Sequence, residues 1–399
     1  REHWLLDPEI IFLNHGSFGA TPRVVLEKQT ELRAQMEREP VRFFTRELEP
    51  LIDAARKEVA AFAGADERGL AFVPNATAGV NAVLRSLDLD QYDELLVTNQ
   101  EYNACRNALD YIAGVAGARV TVIDIPFPPP DRDSIIALIT ERLTKRTRLL
   151  LIDHITSQTA VVMPVAEIVR EMSARGVDTL IDGAHAPGML PLQLDTLGAA
   201  YYTGNLHKWV CAPKGSAFLW VREDKRRTVR PIAISHGANS PRSDRSRYFL
   251  EFDWTGTSDP TAILCVPDAL RFIGSLLPGG WPEVMSRNHD LALRGRDILA
   301  SALRIDATTQ DAFLGSMAAL PLPDGAAETA PSLYGDPLQD ALLFEHHIEV
   351  PIVPWPHPPK RLIRISAQLY NTEDDYHRLA SAVTGLLSAQ TSATRRQDQ

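Results

Sequence analysis

The sequence is poor in cysteine, with only Cys105, Cys211 and Cys265 in 399 residues. They lie far apart, without ligand spacing, so neither a disulfide framework nor a metal site is expected. Reduced thiols suit a cytoplasmic location, and the opening stretch from Arg1 to Ile10 lacks a signal-peptide pattern. Positive charge is in deficit: 41 Lys and Arg against 51 Asp and Glu leave a net charge of −10. That balance argues against nucleic acid as a partner. No apolar run approaches the ~20 residues that span a bilayer, so no membrane partner is expected. Internal repeats are absent. What remains is ordinary for a globular protein, 45% hydrophobic and 23% charged. A chain of this length buries a large core and divides into about two domains.

The stretch from Ala200 to Leu219 organises the rest. It reads as a strand, a turn carrying His207 and Lys208, and a second strand. Beside Trp209 and Val210, Lys208 is expected to be desolvated, which lowers the pKa of an amine. A neutral amine attacks an aldehyde, the chemistry by which a lysine holds pyridoxal phosphate. Upstream, Thr179 to Ile181 is a short apolar run read as a buried strand, and Asp182 closes it. Ligands of open α/β sheets bind beyond the carboxyl ends of strands. A carboxylate there can keep a pyridine nitrogen protonated. Asp182 and Lys208 therefore form a pair, one for a ring nitrogen and one for an aldehyde.

From about residue 70 to 210, short apolar runs alternate with helical patterns, which predicts a mainly parallel sheet covered on both faces. Leu70 to Val73 is a strand, Pro74 to Gly79 a small-residue turn, and Val80 to Leu87 a helix. Strand, turn and helix N-terminus in this order make an anion site. Arg364 alternates with apolar neighbours on a late strand, where a guanidinium needs a partner, and a carboxylate is a natural one. Glu39 to Phe44 breaks the helical pattern and is read as a pocket edge, with Arg42 as an anion contact.

The motifs IDGAHAPG (from Ile181), TGNLHKW (from Thr203), FLNHGSFGATP (from Phe12) and RISAQLYNTEDDYHRL (from Arg364) resemble the class V branch of the aminotransferase superfamily. These are pyridoxal-phosphate enzymes of fold type I. Within the branch the chain is most similar to the isopenicillin N epimerase-like group, over about residues 9 to 385. The resemblance implies a mainly parallel seven-stranded sheet in a large cofactor domain, residues 51–260, and a smaller α+β domain, 261–387. It also implies an N-terminal segment, 1–50, packed on the small domain and the pocket. Residues 388–399, polar and charged, read as a flexible tail.

The same resemblance implies roles at the site. Lys208 carries the cofactor and moves the α-proton, and Asp182 protonates the ring. His185 lies near the ring hydroxyl, while Ala76, Thr77, Asn205 and His207 hold the phosphate. Thr257 reaches the partner's phosphate in a homodimer with shared active sites. Asn103 matches a ring-stacking histidine of desulfurase relatives, and Tyr102 beside it is a candidate acid. Ser157, with Gln158, lies near the ring hydroxyl and substrate carboxylate. Arg364 binds that carboxylate, and Asn14 and His15 are substrate neighbours. The expected substrate is a small amino-acid-type molecule attacked at its α-carbon. Epimerisation is the first reading; a carbon–sulfur β-lyase like the hercynylcysteine sulfoxide lyases, and an aminotransferase, are the alternatives. Desulfurase chemistry is disfavoured, because no cysteine follows Cys265. Cys105 and Cys211 read as packing residues.

Overall fold

The computed structural model describes residues 1–306, 308–325 and 335–397. Among the described residues, twelve strands run in chain order: β1 (Ile11–Phe12), β2 (Leu70–Val73), β3 (Glu94–Thr98), β4 (Arg119–Ile123), β5 (Thr147–Asp153), β6 (Asp178–Asp182), β7 (Tyr201–Asn205), β8 (Ala217–Val221), β9 (Met317–Leu322), β10 (Ile348–Glu349), β11 (Ile352–Pro354) and β12 (Arg361–Ser366). Seven of them form one sheet in the order β2-β8-β7-β6-β5-β3-β4. All its pairings are parallel except those of β8, which lies antiparallel between β2 and β7.

The strand sequences explain why this sheet is central. Leu149, Leu150, Leu151 and Ile152 of β5 are all buried. Leu149 and Leu151 join one apolar core, and Leu150 and Ile152 join the other. Alternate side chains leave a strand on opposite faces, so an unbroken apolar run marks a sheet covered on both sides. Fully burying one such side chain contributes roughly 1.5–3 kcal/mol. Helices Leu48–Ala63 and Val165–Ala174 contribute to one face, and Ala76–Leu84 and Asn103–Ala116 to the other.

A separate antiparallel sheet, β11-β12-β9, packs with helices Gly280–Leu303, Pro337–His346 and Glu373–Gln397 around a third core. Ile11 and Leu13 belong to that core, and β1 pairs in parallel with β10. The N-terminal loop that follows β1 is thereby anchored to the C-terminal part of the chain.

Three local readings change. The helix after β2 starts at Ala76, not Val80, because the Asn75 side chain caps it by accepting the Ala78 N–H at 2.8 Å. Glu39 to Phe44 is not an irregular pocket edge. Pro40–Arg42 is helical and runs on through Phe43–Glu47 into the next helix, and Arg42 is exposed and paired with Glu47 at 2.8 Å. The C-terminal helix continues to Gln397 through most of the stretch expected to be a flexible tail, and residues 398 and 399 lie outside the described residues.

Candidate active site

Lys208 stands on the turn between β7 and β8, whose start is pinned by the Ser216 carbonyl accepting the Leu206 and His207 N–H groups. The amine lies 3.0 Å from Nε2 of His185. Burial, reinforced by the positive charge of Arg364, pulls Lys208 down to about 7, against the opposing pull of Asp182. Near neutral pH a large share of the amine is therefore uncharged. His185 matches that state. Its Nδ1 accepts the Trp209 indole N–H at 3.4 Å, which leaves the ring proton on Nε2, directed at the lysine lone pair. Burial first, then the lysine charge, hold His185 well below its ordinary value.

Asp182 ends β6 and is itself buried. Its Oδ1 accepts the Ala184 N–H at 2.9 Å, and its Oδ2 accepts the Cys105 thiol at 3.0 Å. Burial raises its pKa, while these two donors and Lys208 act the other way.

The anion cradle is built by the helix Ala76–Leu84. A Cβ on Gly79 would lie 2.3 Å from Thr203 Oγ1, so glycine is what lets this helix sit against β7. The Ala76 N–H is not free for a phosphate, because it donates to Asn205 Oδ1 at 2.8 Å. Helix geometry leaves the Thr77 N–H without an intrahelical acceptor. Together with the Thr77 hydroxyl and the Asn205 amide, it supplies the donors. His207 gives its Nδ1 proton to the Ser216 carbonyl at 2.9 Å, and burial lowers its pKa to about 4, so the neutral ring offers Nε2 as an acceptor and not as the expected phosphate donor.

Opposite this group lies the N-terminal loop. Arg364 on β12 donates to the Ser157 carbonyl at 2.5 Å and the Ser17 hydroxyl at 2.9 Å, with the Asn14 side-chain oxygen at 3.4 Å. Asn14 in turn donates to Glu349 at 2.9 Å. Gly19 closes the loop with φ of 72°, and a Cβ there would lie 2.2 Å from the His207 carbonyl. The loop thus touches both the arginine and the lysine turn.

Ala76, Thr77, Tyr102, Ser157, Asp182, His185, Asn205, His207 and Lys208 line one cavity of about 250 Å³. Arg364 and Asn14 stand just behind its lining. Two further expectations fail in this chain. Asn103 is exposed as the first residue of the helix Asn103–Ala116, and the preceding Tyr102 lines the cavity instead. His15 is no wall of the cavity. It is fully buried, with Nδ1 bonded to the Tyr370 hydroxyl at 2.7 Å and Nε2 to the Lys208 carbonyl at 3.0 Å. Thr257, expected to act in a partner copy, sits on an exposed segment away from this chain's own cavity. Cys105, read as packing, is a donor to Asp182. Sequence reasoning also passed over Asp153, Ser17 and Phe18, all lining residues. Asp153 ends its strand just as Asp182 does, and that signal was available in the sequence; Ser17 and Phe18 stand within the FLNHGSFGATP motif.

The pattern of the family described as aminotransferase class-V matches residues 11–379. The chain belongs to this family. Isopenicillin N epimerase of Streptomyces clavuligerus is 33% identical over 97% of both chains. A probable chloroplastic L-cysteine desulfhydrase of Arabidopsis thaliana is 30% identical over 96% of this chain and 84% of that one. Among solved structures, the cysteine desulfurase CsdA of Escherichia coli superposes with a TM-score of 0.77 at 19% identity over 98% of each chain, a likeness of fold. The cofactor of the class V aminotransferase family is pyridoxal 5'-phosphate, and the residues present fit it. A poised lysine, a buried carboxylate and a helix N-terminus with neutral donors surround one cavity. Members of the family include epimerases and carbon–sulfur-cleaving enzymes, and this chain is an enzyme of that kind.

Proposed function

We propose that this chain removes the α-proton of a small amino acid with Lys208 and returns a proton to the opposite face, as an epimerase or racemase. Arg364 binds the substrate carboxylate, displacing the neutral oxygens of Ser17 and Ser157 that it now holds. When bound, pyridoxal phosphate supplies the carbonyl that captures the substrate amine and a ring that accepts the electron pair left at Cα. Asp182 keeps the ring nitrogen protonated, Thr77 and Asn205 bind the phosphate, and His185 orients the lysine amine. Thr257 completes the phosphate site of a partner copy in a homodimer.

The observation that carries epimerisation is the placing of two proton carriers on well-separated parts of the sheet. Lys208 enters from the β7–β8 turn and Tyr102 from beyond β3, with Asp182 of β6 between them in the strand order. A second reading is a carbon–sulfur lyase. It needs Lys208 alone, and the similarity to an L-cysteine desulfhydrase favours it. A desulfurase is not supported, since all three cysteines are buried and none follows Cys265.

The test is one incubation of the holoenzyme with L-amino acids and cysteine conjugates in heavy water. Deuterium at Cα with a D-product, lost in Tyr102→Phe while exchange of the L-form persists, supports the epimerase. Keto acid with ammonia and a released thiol replaces it with the lyase. No α-exchange with any substrate, despite bound cofactor, overturns both.

A further inference from the structure

Three neighbouring strands deliver carboxyl groups to one place. Asp153 ends β5 and Asp182 ends β6, and the two are Cα partners across the pair. Glu101 follows β3, the other neighbour of β5. The three are only 5%, 3% and 2% exposed for Glu101, Asp153 and Asp182. One polar atom each of Glu101, Cys105 and Asp182 lie within 4.8 Å of one another. Asp182 has its donors in Ala184 and Cys105. Neither oxygen of Glu101, nor Oδ2 of Asp153, has a hydrogen-bond partner of good geometry, and the Tyr102 backbone N–H gives Glu101 only weak support. The two carboxyls face one another, and a hydrogen bond between them requires a proton on one of them.

We propose that Cys105, Glu101 and Asp153 are positioning residues for Asp182: the thiol donates to its carboxylate, and the two uncharged acids beside it confine the cluster's negative charge to it. This deepens the functional reading above and rests on pyridoxal phosphate lying with its ring nitrogen against Asp182. Buried carboxylates this close cannot all ionise. Burial first, then repulsion from the neighbouring acids, holds Glu101 well above the carboxylate range. Burial and Asp182 do the same to Asp153. Burial also pushes the Cys105 thiol up, which keeps it a donor. A donor to the ionised form favours that form, so the thiol helps keep the proton on the ring and off Asp182. A protonated acid held in an apolar site acts as a neutral group of fixed orientation.

The test loads the protein with pyridoxal phosphate carrying nitrogen-15 in its ring. It reads the ring-nitrogen resonance, which reports protonation, together with the cofactor's dissociation constant. Cys105→Ala is expected to move the resonance toward the unprotonated position and to weaken the cofactor about tenfold. Cys105→Ser, which keeps a donor, restores both. Glu101→Gln and Asp153→Asn, which mimic uncharged acids, leave the resonance in place. If Cys105→Ala does not fold, Cys105→Val, of similar size and without a donor, takes its place. The proposal is overturned if Cys105→Ser behaves as Cys105→Ala, since packing alone then explains the residue. It is equally overturned if Glu101→Gln or Asp153→Asn moves the resonance, since that acid then carries charge. Asp182→Asn separates the two layers of the reading. If it leaves the resonance unmoved, the ring-nitrogen role of Asp182 fails; if it moves the resonance while Cys105→Ala does not, only the present inference fails.

Discussion

The two sides of the cavity are built by different means. On the sheet side, Asp182, Asn205 and Lys208 take their places from strand ends and from the turn that follows β7, so backbone register sets them. Opposite, Arg364 is set by side-chain bonds to residues far away in the chain: Ser17, Asn14 and Ser157. Register is shared by many backbone hydrogen bonds and changes little when a ligand arrives. Side-chain bonds to neutral oxygens can be exchanged for a carboxylate. Under the proposed function, the sheet side is the rigid holder of the cofactor, and the loop side is the adaptable reader of substrate. His15 joins them, since its ring bonds the Lys208 carbonyl on one side and Tyr370 on the other.

The largest effect is expected on the sheet side. Lys208→Ala lowers α-proton exchange by about 10³-fold while the phosphate donors keep binding the cofactor, as read by exchange in heavy water and by cofactor titration. The comparison breaks if the variant loses cofactor and activity in equal measure. On the loop side, Arg364→Lys raises KM by about 10- to 100-fold with a smaller change in kcat, because a point charge replaces a two-pronged donor. A loss of cofactor affinity instead would merge the two sides. Thr77→Val weakens pyridoxal phosphate about tenfold, measured by equilibrium dialysis, since one hydroxyl of several donors is removed.

A pH series sharpens the account of the lysine. Below about 7 Lys208 is mostly protonated, so capture of pyridoxal phosphate by the apoprotein slows by about tenfold per pH unit. Above that value it levels off. A rate still climbing steadily toward pH 10 sinks the claim that burial has freed the amine. The last effect concerns the joint. Burial lowers His15 to about 3 from its ordinary 6.5, so between those values the unfolded chain binds one more proton than the fold. Its neutral-state contribution is complete above 6.5 and is lost as pH falls toward 3, at about 1.4 kcal/mol per pH unit. His15→Gln removes that slope in urea unfolding at pH 4 to 6.5, whatever it costs in overall stability. An unchanged slope refutes the buried, neutral assignment.

Much of the sheet side was legible from the sequence. An apolar run closed by Asp182, and a lysine beside Trp209 between two strands, are local patterns whose chemistry follows from strand ends and desolvation. The small-residue turn before Thr77 was legible too, although the cap at Asn75 moved the helix start. The loop side was less so. Asn14 and Arg364 were named, but Ser17 was not, because nothing local says which loop residue a distant guanidinium will bond. His15 shows the same limit from the other direction: the family resemblance made it a substrate neighbour, and only the packing of Tyr370 and the Lys208 turn around it makes it a buried clamp. Asn103 and Tyr102 differ by one position, and the start of a helix turned one to solvent and the other to the cavity.

By itself the sequence determined the parallel sheet, the strand-end aspartate, the lysine turn and the helix that follows β2, because each rests on periodicity or on neighbours within one element. The tertiary structure alone decided that three strand ends bring Glu101, Asp153 and Asp182 together, that Cys105 donates to the last of them, and that Asn205 takes the Ala76 N–H. Those contacts join residues as far apart as 129 positions. The energy of a buried charge depends on every group around it, and no single segment of sequence contains that surrounding.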